Sequence, residues 1–196
     1  RLRRAIEWCR LFGTRNIRIF SYYLPEGSEW SDWRQTVIDR MLEKTRLAEQ
    51  EDVRLIHENE HRIYGESPER VRDLLSTMRQ YVNERYFGAA YDPANFVFCG
   101  FDSWEGWLAS RDFTVHFHIK DWKRGEPHGA LAGCGDGQVE RVMADAVQRG
   151  YDGFATLEPH LLGGGPTGGY TGPELFPKAV AAFRNILQRV GAIEAS

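Results

Sequence analysis

The stretch VRLIHENEH, residues 53–61, decides how this chain is read. It is an apolar run that ends in carboxylates, an amide and two imidazoles, where a buried strand would emerge into solvent. Side chains alternate sides along a strand, so Val53, Leu55, His57 and Asn59 share one face and Arg54, Ile56, Glu58 and Glu60 share the other. The same pattern returns downstream. In TVHFHIK (114–120), Val115, Phe117 and Ile119 oppose His116, His118 and Lys120. In DGFATLE (152–158), Ala155 and Leu157 oppose Thr156 and Glu158, with His160 beyond on the same side. Gly88, Ala90 and Asp92 share a face of FGAAYD (87–92), and Ile17 and Ile19 oppose Arg18, Phe20 and Tyr22 in NIRIFSYYL (16–24).

Helical patterns separate these strands. Residues 1–12 read as an amphipathic helix stopped by Gly13, and residues 31–51 as a long helix with Ser31 as N-cap. Residues 67–85 open on Ser67 and Pro68, residues 102–110 form a short helix, residues 135–150 a loop and then a helix ended by Gly150, and residues from about 173 to 190 a last helix. Strands alternating with helices imply a parallel sheet. A doubly wound sheet carries helices on both faces, and both should then be apolar. One face that turns polar at successive strand ends suits the inside of a barrel, where the chemistry sits at the C-terminal ends of the strands. The expected fold is therefore α/β: a (β/α)8 TIM-barrel type, here an incomplete barrel of about five parallel strands with helices outside.

Glu58, Asp92, His118 and Glu158 stand one per strand at those ends. Three hard oxygens and one imidazole suit a divalent cation, Mn2+ first, with Mg2+ or Co2+ as alternatives. A structural zinc site would want more sulfur or nitrogen. Around this set, Lys120 and Asp121 either orient a substrate or pair at the barrel rim, and His160 is a substrate candidate on the same face as Glu158. Glu60 is a neighbour of the ligands or a loop partner of Arg62. His57 should face outward as a structural histidine, and His116 reads as a polar core residue one layer below His118. Trp104, Trp107 and Trp122 either floor a sugar site or pack helices. GDGQVE (135–140) resembles a phosphate-cradling turn before a helix N-terminus, and the Gly-rich GGGPTGGYTG (163–172) reads as an active-site loop or a plain surface loop.

Composition limits the function classes. The 196 residues suffice for one sizeable core, and no linker marks a second unit, so residues 1–196 are expected to form a single partial domain. A net charge of −3 and no Lys/Arg run of five argue against a nucleic-acid surface or a polybasic membrane patch. No apolar stretch approaches the roughly 20 residues of a membrane span. The sequence shows no signal-peptide pattern, and Cys9, Cys99 and Cys134, scattered and outside CxxC spacing, fit a reducing cytoplasm.

The motifs LIHENEHRIYGESPERV, YDPANF, VHFHIKDW and GCGDGQVERVMADAVQRGYDGFATLEPHL, in this order, resemble the xylose isomerase-like sugar phosphate isomerase/epimerase superfamily. That group includes ketose 3-epimerases and inosose dehydratases. The resemblance implies a (β/α)8 barrel whose divalent metal is held by Glu58, Asp92, His118 and Glu158, with Glu58 and Glu158 as the acid/base pair. It also implies Asn95, three residues after the Asp, and Arg124, six after the His, as substrate contacts. A barrel of this group has eight strands. The resemblance implies that the first three are missing from this chain, leaving two open edges through which a homo-oligomer or a partner chain is expected to associate. The implied substrate is a small sugar or polyol, with no nucleic-acid or membrane partner. The implied activity is metal-dependent ketose isomerisation or epimerisation by proton transfer next to a carbonyl. The alternatives are dehydration of a keto-inositol-like polyol at the same site, or a non-catalytic partial barrel. Metal-dependent DNA repair on this fold is disfavoured by the net charge of −3 and by too few spare His, Asp and Glu at strand ends.

Overall fold

The computed structural model describes residues 1–163 and 168–194. Five parallel strands run β1 (Asn16–Ile19), β2 (Arg54–Glu58), β3 (Phe87–Tyr91), β4 (Thr114–Ile119) and β7 (Phe154–Leu157), and they neighbour one another in chain order. Sequential order without reversal is the winding of a barrel rather than of a doubly wound sheet. The registers step regularly: Ile17 pairs with Leu55, His57 with Ala89, Tyr91 with Phe117 and Phe117 with Ala155. A bulge between Ala89 and Ala90 breaks the step once. Gly88 lies in that region because a Cβ there would stand 2.8 Å from Val115 Cγ2. Strands β1 and β7 form the two edges and the sheet does not close, so Phe154 on the inner face is 72% exposed.

The helices cover the outer face: α1 (Leu2–Phe12), α2 (Trp30–Gln50), α3 (Pro68–Tyr81), α4 (Pro93–Phe98), α5 (Ser103–Ser110), α6 (Val139–Gln148) and α7 (Phe176–Arg189). Their apolar stripes meet the alternate residues of the strands. Ile38 and Met41 of α2 and Leu74, Leu75 and Met78 of α3 join Leu55, Ala89 and Tyr91 in one cluster, which continues through Trp107, Phe117, Val142, Phe183 and Ile186. Between α2 and α3, Asp73 accepts both Arg34 Nε and Nη2 and the Tyr64 hydroxyl. Among the described residues no helix is long and apolar enough to cross a membrane.

Several expected boundaries move, each for a local reason. Strand β1 stops at Ile19 instead of residue 24, because its ladder with β2 ends at the pair Ile19–His57 and Tyr23 makes only an isolated bridge to Ile63. Helix α2 starts at Trp30, so Ser31 lies inside it and makes no cap; Glu29 holds the cap position without a side-chain bond. Helix α3 does begin with Ser67 Oγ accepting from Arg70 N, but it ends at Tyr81, where Asn83 Oδ1 draws Arg85 N into a turn. The last helix starts at Phe176, three residues later than expected. Gly13 and Gly150 stop their helices in the left-handed conformation, as read from the sequence. Three elements were not anticipated: a 3-10 turn (Tyr64–Glu66), α4, and a short hairpin of β5 (Asp121–Trp122) and β6 (Gly129–Ala130).

His57 faces outward as expected, but into a dry contact. It is 1% exposed, and its ring lies where a Cβ on Gly65 would be, 2.3 Å from Cε1. Its Nε2 has no partner among the described residues. Burial pushes the imidazole down to about 4, with Glu58 opposing and Lys44 adding to the fall. The folded state therefore keeps His57 neutral while the unfolded chain, near 6.5, takes up a proton. Stability from this residue is complete above about pH 6.5 and is lost as pH falls towards 4, up to about 3 kcal/mol. Urea unfolding measured across that interval should show a steeper loss for the native protein than for His57→Gln, and parallel curves would remove His57 as the cause.

Candidate metal centre

The tips of β2, β3, β4 and β7 bring Glu58, Asp92, His118 and Glu158 together. One donor atom from each can be chosen so that all lie within 4.8 Å of one another. His118 Nδ1 is 2.8 Å from Glu58 Oε1 and 3.5 Å from Glu158 Oε2. Octahedral ligands at bonds of about 2.1 Å stand about 3 Å apart when adjacent and about 4.2 Å when opposite, so this spacing and the oxygen-rich donor set fit a hard divalent cation. Four ligands leave room in an octahedral shell for two further oxygens.

Hydrogen bonds at the strand tips fix the two most buried carboxylates of the cluster, Asp92 and Glu58. Asn59 acts as a side-chain rung between β2 and β3: its Oδ1 accepts Asp92 N at 2.9 Å and its Nδ2 donates to Asp92 O at 2.8 Å. Asp92 Oδ1 accepts Ala94 N and Asn95 N and so caps α4, which aims Oδ2 at Lys120 Nζ, 2.9 Å away. Asn95 Nδ2 donates to Asn59 O at 2.8 Å and to Glu58 Oε1 at 3.4 Å. Arg18 Nε, from the edge strand β1, stands 3.3 Å from Glu58 Oε2.

The electrostatics are those of a site crowded with negative charge. Burial pushes Glu58 up, but the hydrogen bond and charge of His118, with Lys120 and Arg18, outweigh it and hold this carboxyl below its usual range. Full burial pushes Asp92 up to about 7 despite the pull of Lys120, and the Glu58 charge adds to the rise. Burial works against the Lys120 ammonium, yet Asp92 and Glu158 more than compensate and push it up. Glu60 is 4% exposed, and burial raises its carboxyl even though Oε1 accepts His61 N.

The other sequence candidates fall in different places. Lys120 is sealed in, 1% exposed at the side chain, and spans Asp92 and Glu158, the latter at 3.9 Å. His160 Nε2 lies 3.7 Å from Glu158 Oε1, and its backbone is held left-handed at φ 47°. Asn95, 1% exposed, lies beneath the ligands. Arg124 is not brought to the cluster: its Nη2 donates to Phe101 O. His116 lies one layer below His118, with Nε2 3.1 Å from Thr156 Oγ1 and ring centroids 5.4 Å apart. Trp107 is core and donates to Asp145, Trp122 packs on Ala94 and Val97, and Trp104 lies under Arg141. Residues 164–167 of the Gly-rich loop fall outside the described residues; its flanks, with Pro159, His160, Tyr170 and Phe176, line an apolar hollow.

The turn before α6 is not a phosphate cradle, because it already holds an anion. Asp121, 1% exposed, accepts Gly133 N and Gly135 N on Oδ2, and Gly137 N and Trp122 N on Oδ1. A Cβ on Gly135 or Gly137 would stand 2.4 or 2.6 Å from Asp121 Oδ1, which is why those positions are glycine. Neither Arg18 nor Asn59 is singled out by the sequence, and the turn read there as a phosphate cradle binds Asp121 instead. The only available signals were that Arg18 shares face parity with Phe20 and that three glycines alternate before a helix.

A model of the family described as xylose isomerase-like TIM barrel matches residues 1–186. No curated protein matches the chain. Among solved structures, a D-tagatose 3-epimerase-like protein superposes with a TM-score of 0.74 at 17% identity, covering 96% of this chain and 68% of that one. The probable 3-DHS dehydratase AsbF of Bacillus anthracis, involved in petrobactin synthesis, gives 0.73 at 16%, covering 96% and 69%. A xylose isomerase-like TIM barrel protein from Mycobacterium smegmatis in complex with magnesium gives 0.70 at 15%, covering 96% and 65%. The chain thus spans about two thirds of the length of these structures, which share its fold. Replacing Asp121 with Asn should leave buried N–H groups unsatisfied and lower the free energy of unfolding by about 3 kcal/mol in denaturant titration; an unchanged midpoint would show that the nest contributes nothing.

Proposed function

The chain belongs to the xylose isomerase-like TIM-barrel family, and from that premise we propose that it is a divalent-metal-dependent isomerase or epimerase of ketose sugars, with Mn2+ as the preferred ion. The observation that carries this reading is the convergence of Glu58, Asp92, His118 and Glu158, with donor atoms within 4.8 Å. The chemistry that a cation supplies there is polarisation of a substrate carbonyl, without which the neighbouring C–H is too weak an acid for a carboxylate.

The protein's own groups then have separate tasks. Glu58 and Glu158 stand on the outermost two of the four ligand-bearing strands, and we assign one to each face of a shared substrate. One takes the proton from the carbon beside the carbonyl and the other returns it from the opposite face, which inverts that centre. Positioned proton transfer of this kind contributes about 10²- to 10⁴-fold. Asp92 and His118 hold the centre together; Lys120 orients Asp92, and Asn95 fixes Glu58 from below.

Two measurements test the reading. Calorimetric titration with Mn2+ should give about one site per chain, and Glu158→Ala should weaken binding at least tenfold. Incubation of ketoses with the Mn2+-loaded protein in deuterated water should place deuterium at the carbon beside the carbonyl. Glu58→Gln and Glu158→Gln should each slow that exchange at least 100-fold. An unsaturated product without exchange would reassign the site to dehydration, and a protein that binds no Mn2+ would end the reading.

A further inference from the structure

Glu158 is the least supported of the four ligand candidates. Asp92 Oδ1 accepts two backbone N–H groups, and Glu58 Oε1 lies 2.8 Å from His118 Nδ1 and accepts Asn95 Nδ2. The Glu158 side chain is 39% exposed, and its neighbours stand farther off. Oε2 faces His118 Nδ1 at 3.5 Å and Lys120 Nζ at 3.9 Å, so this oxygen looks into the centre. Oε1 looks to His160 Nε2, 3.7 Å away.

His160 is fixed in a costly backbone state. Its φ of 47° lies in the left-handed region, which glycine enters freely and residues with a Cβ enter under strain. The chain nevertheless carries an imidazole there. Gly129 N, from the β5–β6 hairpin, donates to His160 O at 2.9 Å. A Cβ on Gly129 would stand 2.3 Å from Pro159 O, and one on Gly169 would stand 2.7 Å from His160 Cβ, so these two glycines let the chain close around the residue. The hairpin and the segment after β7 that make these contacts both belong to this chain. The His160 side chain is only 11% exposed, and its Nε2 end meets a ligand candidate. A strained residue that its surroundings hold in place points to a side chain with a task.

We propose that His160 is a positioning residue for Glu158: its Nε2 donates to Oε1 and thereby turns Oε2 towards Glu58, Asp92 and His118. The inference deepens the metal-dependent function proposed above and rests on it, and it takes the place of the substrate contact expected of His160 from the sequence. At 3.7 Å the pair stands outside hydrogen-bond length, and contacts of this kind tighten when a site is loaded. Hydrogen-bond partners of metal ligands typically set affinity by about 10- to 100-fold.

The test compares two amides at position 160 in the whole chain. Asn tolerates the left-handed backbone well, but its amide nitrogen corresponds to Nδ1 of histidine and stops short of Glu158. Gln strains the backbone more, but its amide nitrogen reaches the position of Nε2. Calorimetric titration with Mn2+ should show His160→Asn weakened about tenfold or more and His160→Gln within about threefold of the native protein. Thermal unfolding without Mn2+ should rank the two variants the other way, with His160→Asn the more stable. Affinity and stability then move in opposite directions, which a merely structural histidine does not produce. Native-like Mn2+ affinity in His160→Asn, equal losses in the two variants, or losses of affinity that follow the losses of stability would each overturn the inference. A native protein that binds no Mn2+ would overturn the proposed function together with it, whereas Mn2+ binding indifferent to position 160 would overturn this inference alone.

Discussion

Three carboxylates gathered at neighbouring strand ends repel one another, and the architecture around them answers that repulsion. Two like charges 4 Å apart cost about 4 kcal/mol at an effective dielectric of 20. The fold supplies counter-charge from three directions: His118 from within the cluster, Lys120 from below and Arg18 from the edge strand. Lys120 is the most telling of these, since a sealed ammonium is tolerated only when paired and here stands between Asp92 and Glu158. Even so, Asp92 remains pushed up by burial. With four donor atoms within 4.8 Å of one another, the centre could hold a cation.

Holding that charge in place requires a stiff support, which comes from small polar groups. Asn59 extends the β2–β3 ladder by one side-chain rung, and Asp92 caps α4 with one oxygen so that the other is directed inward. Asp121, the residue after Lys120, turns the chain away from the centre by gathering the N–H groups of the following turn. A single Asp thereby fixes both the exit of β4 and the start of the segment that leads into α6. The same backbone conformation that would cradle a ligand phosphate is used to bind the protein's own carboxylate, and the site stays with the strand tips.

Parts of this were legible in the residues. The alternation in VHFHIK places His116 and His118 on the inner side because a strand has no freedom in the matter, and β4 shows them there. The Ser67–Pro68 start of α3 and the Gly13 stop of α1 are local signals and appear where read. Helix α4 was missed because PANFVF is short and its cap, Asp92, was already assigned to a metal. The end of β1 was missed because a ladder stops where its partner leaves it, and nothing in the sequence of β1 records that. Counting from His118 says nothing of Arg124, which lies in the loop of the β5–β6 hairpin and donates to Phe101 O.

The sequence by itself determined the order of strands and helices, the face each strand residue takes and the identity of the four residues at the strand ends. These follow from local periodicity and from one chemistry-bearing residue per strand. Only the tertiary structure decided how far apart their oxygens and nitrogen lie, that Lys120 is sealed beneath them, that Asp121 serves a turn and that Arg18 reaches the centre from a fifth strand. Those facts depend on register and curvature between segments distant in the chain, and Arg18 and Glu58 meet across forty residues because β1 and β2 pair side by side.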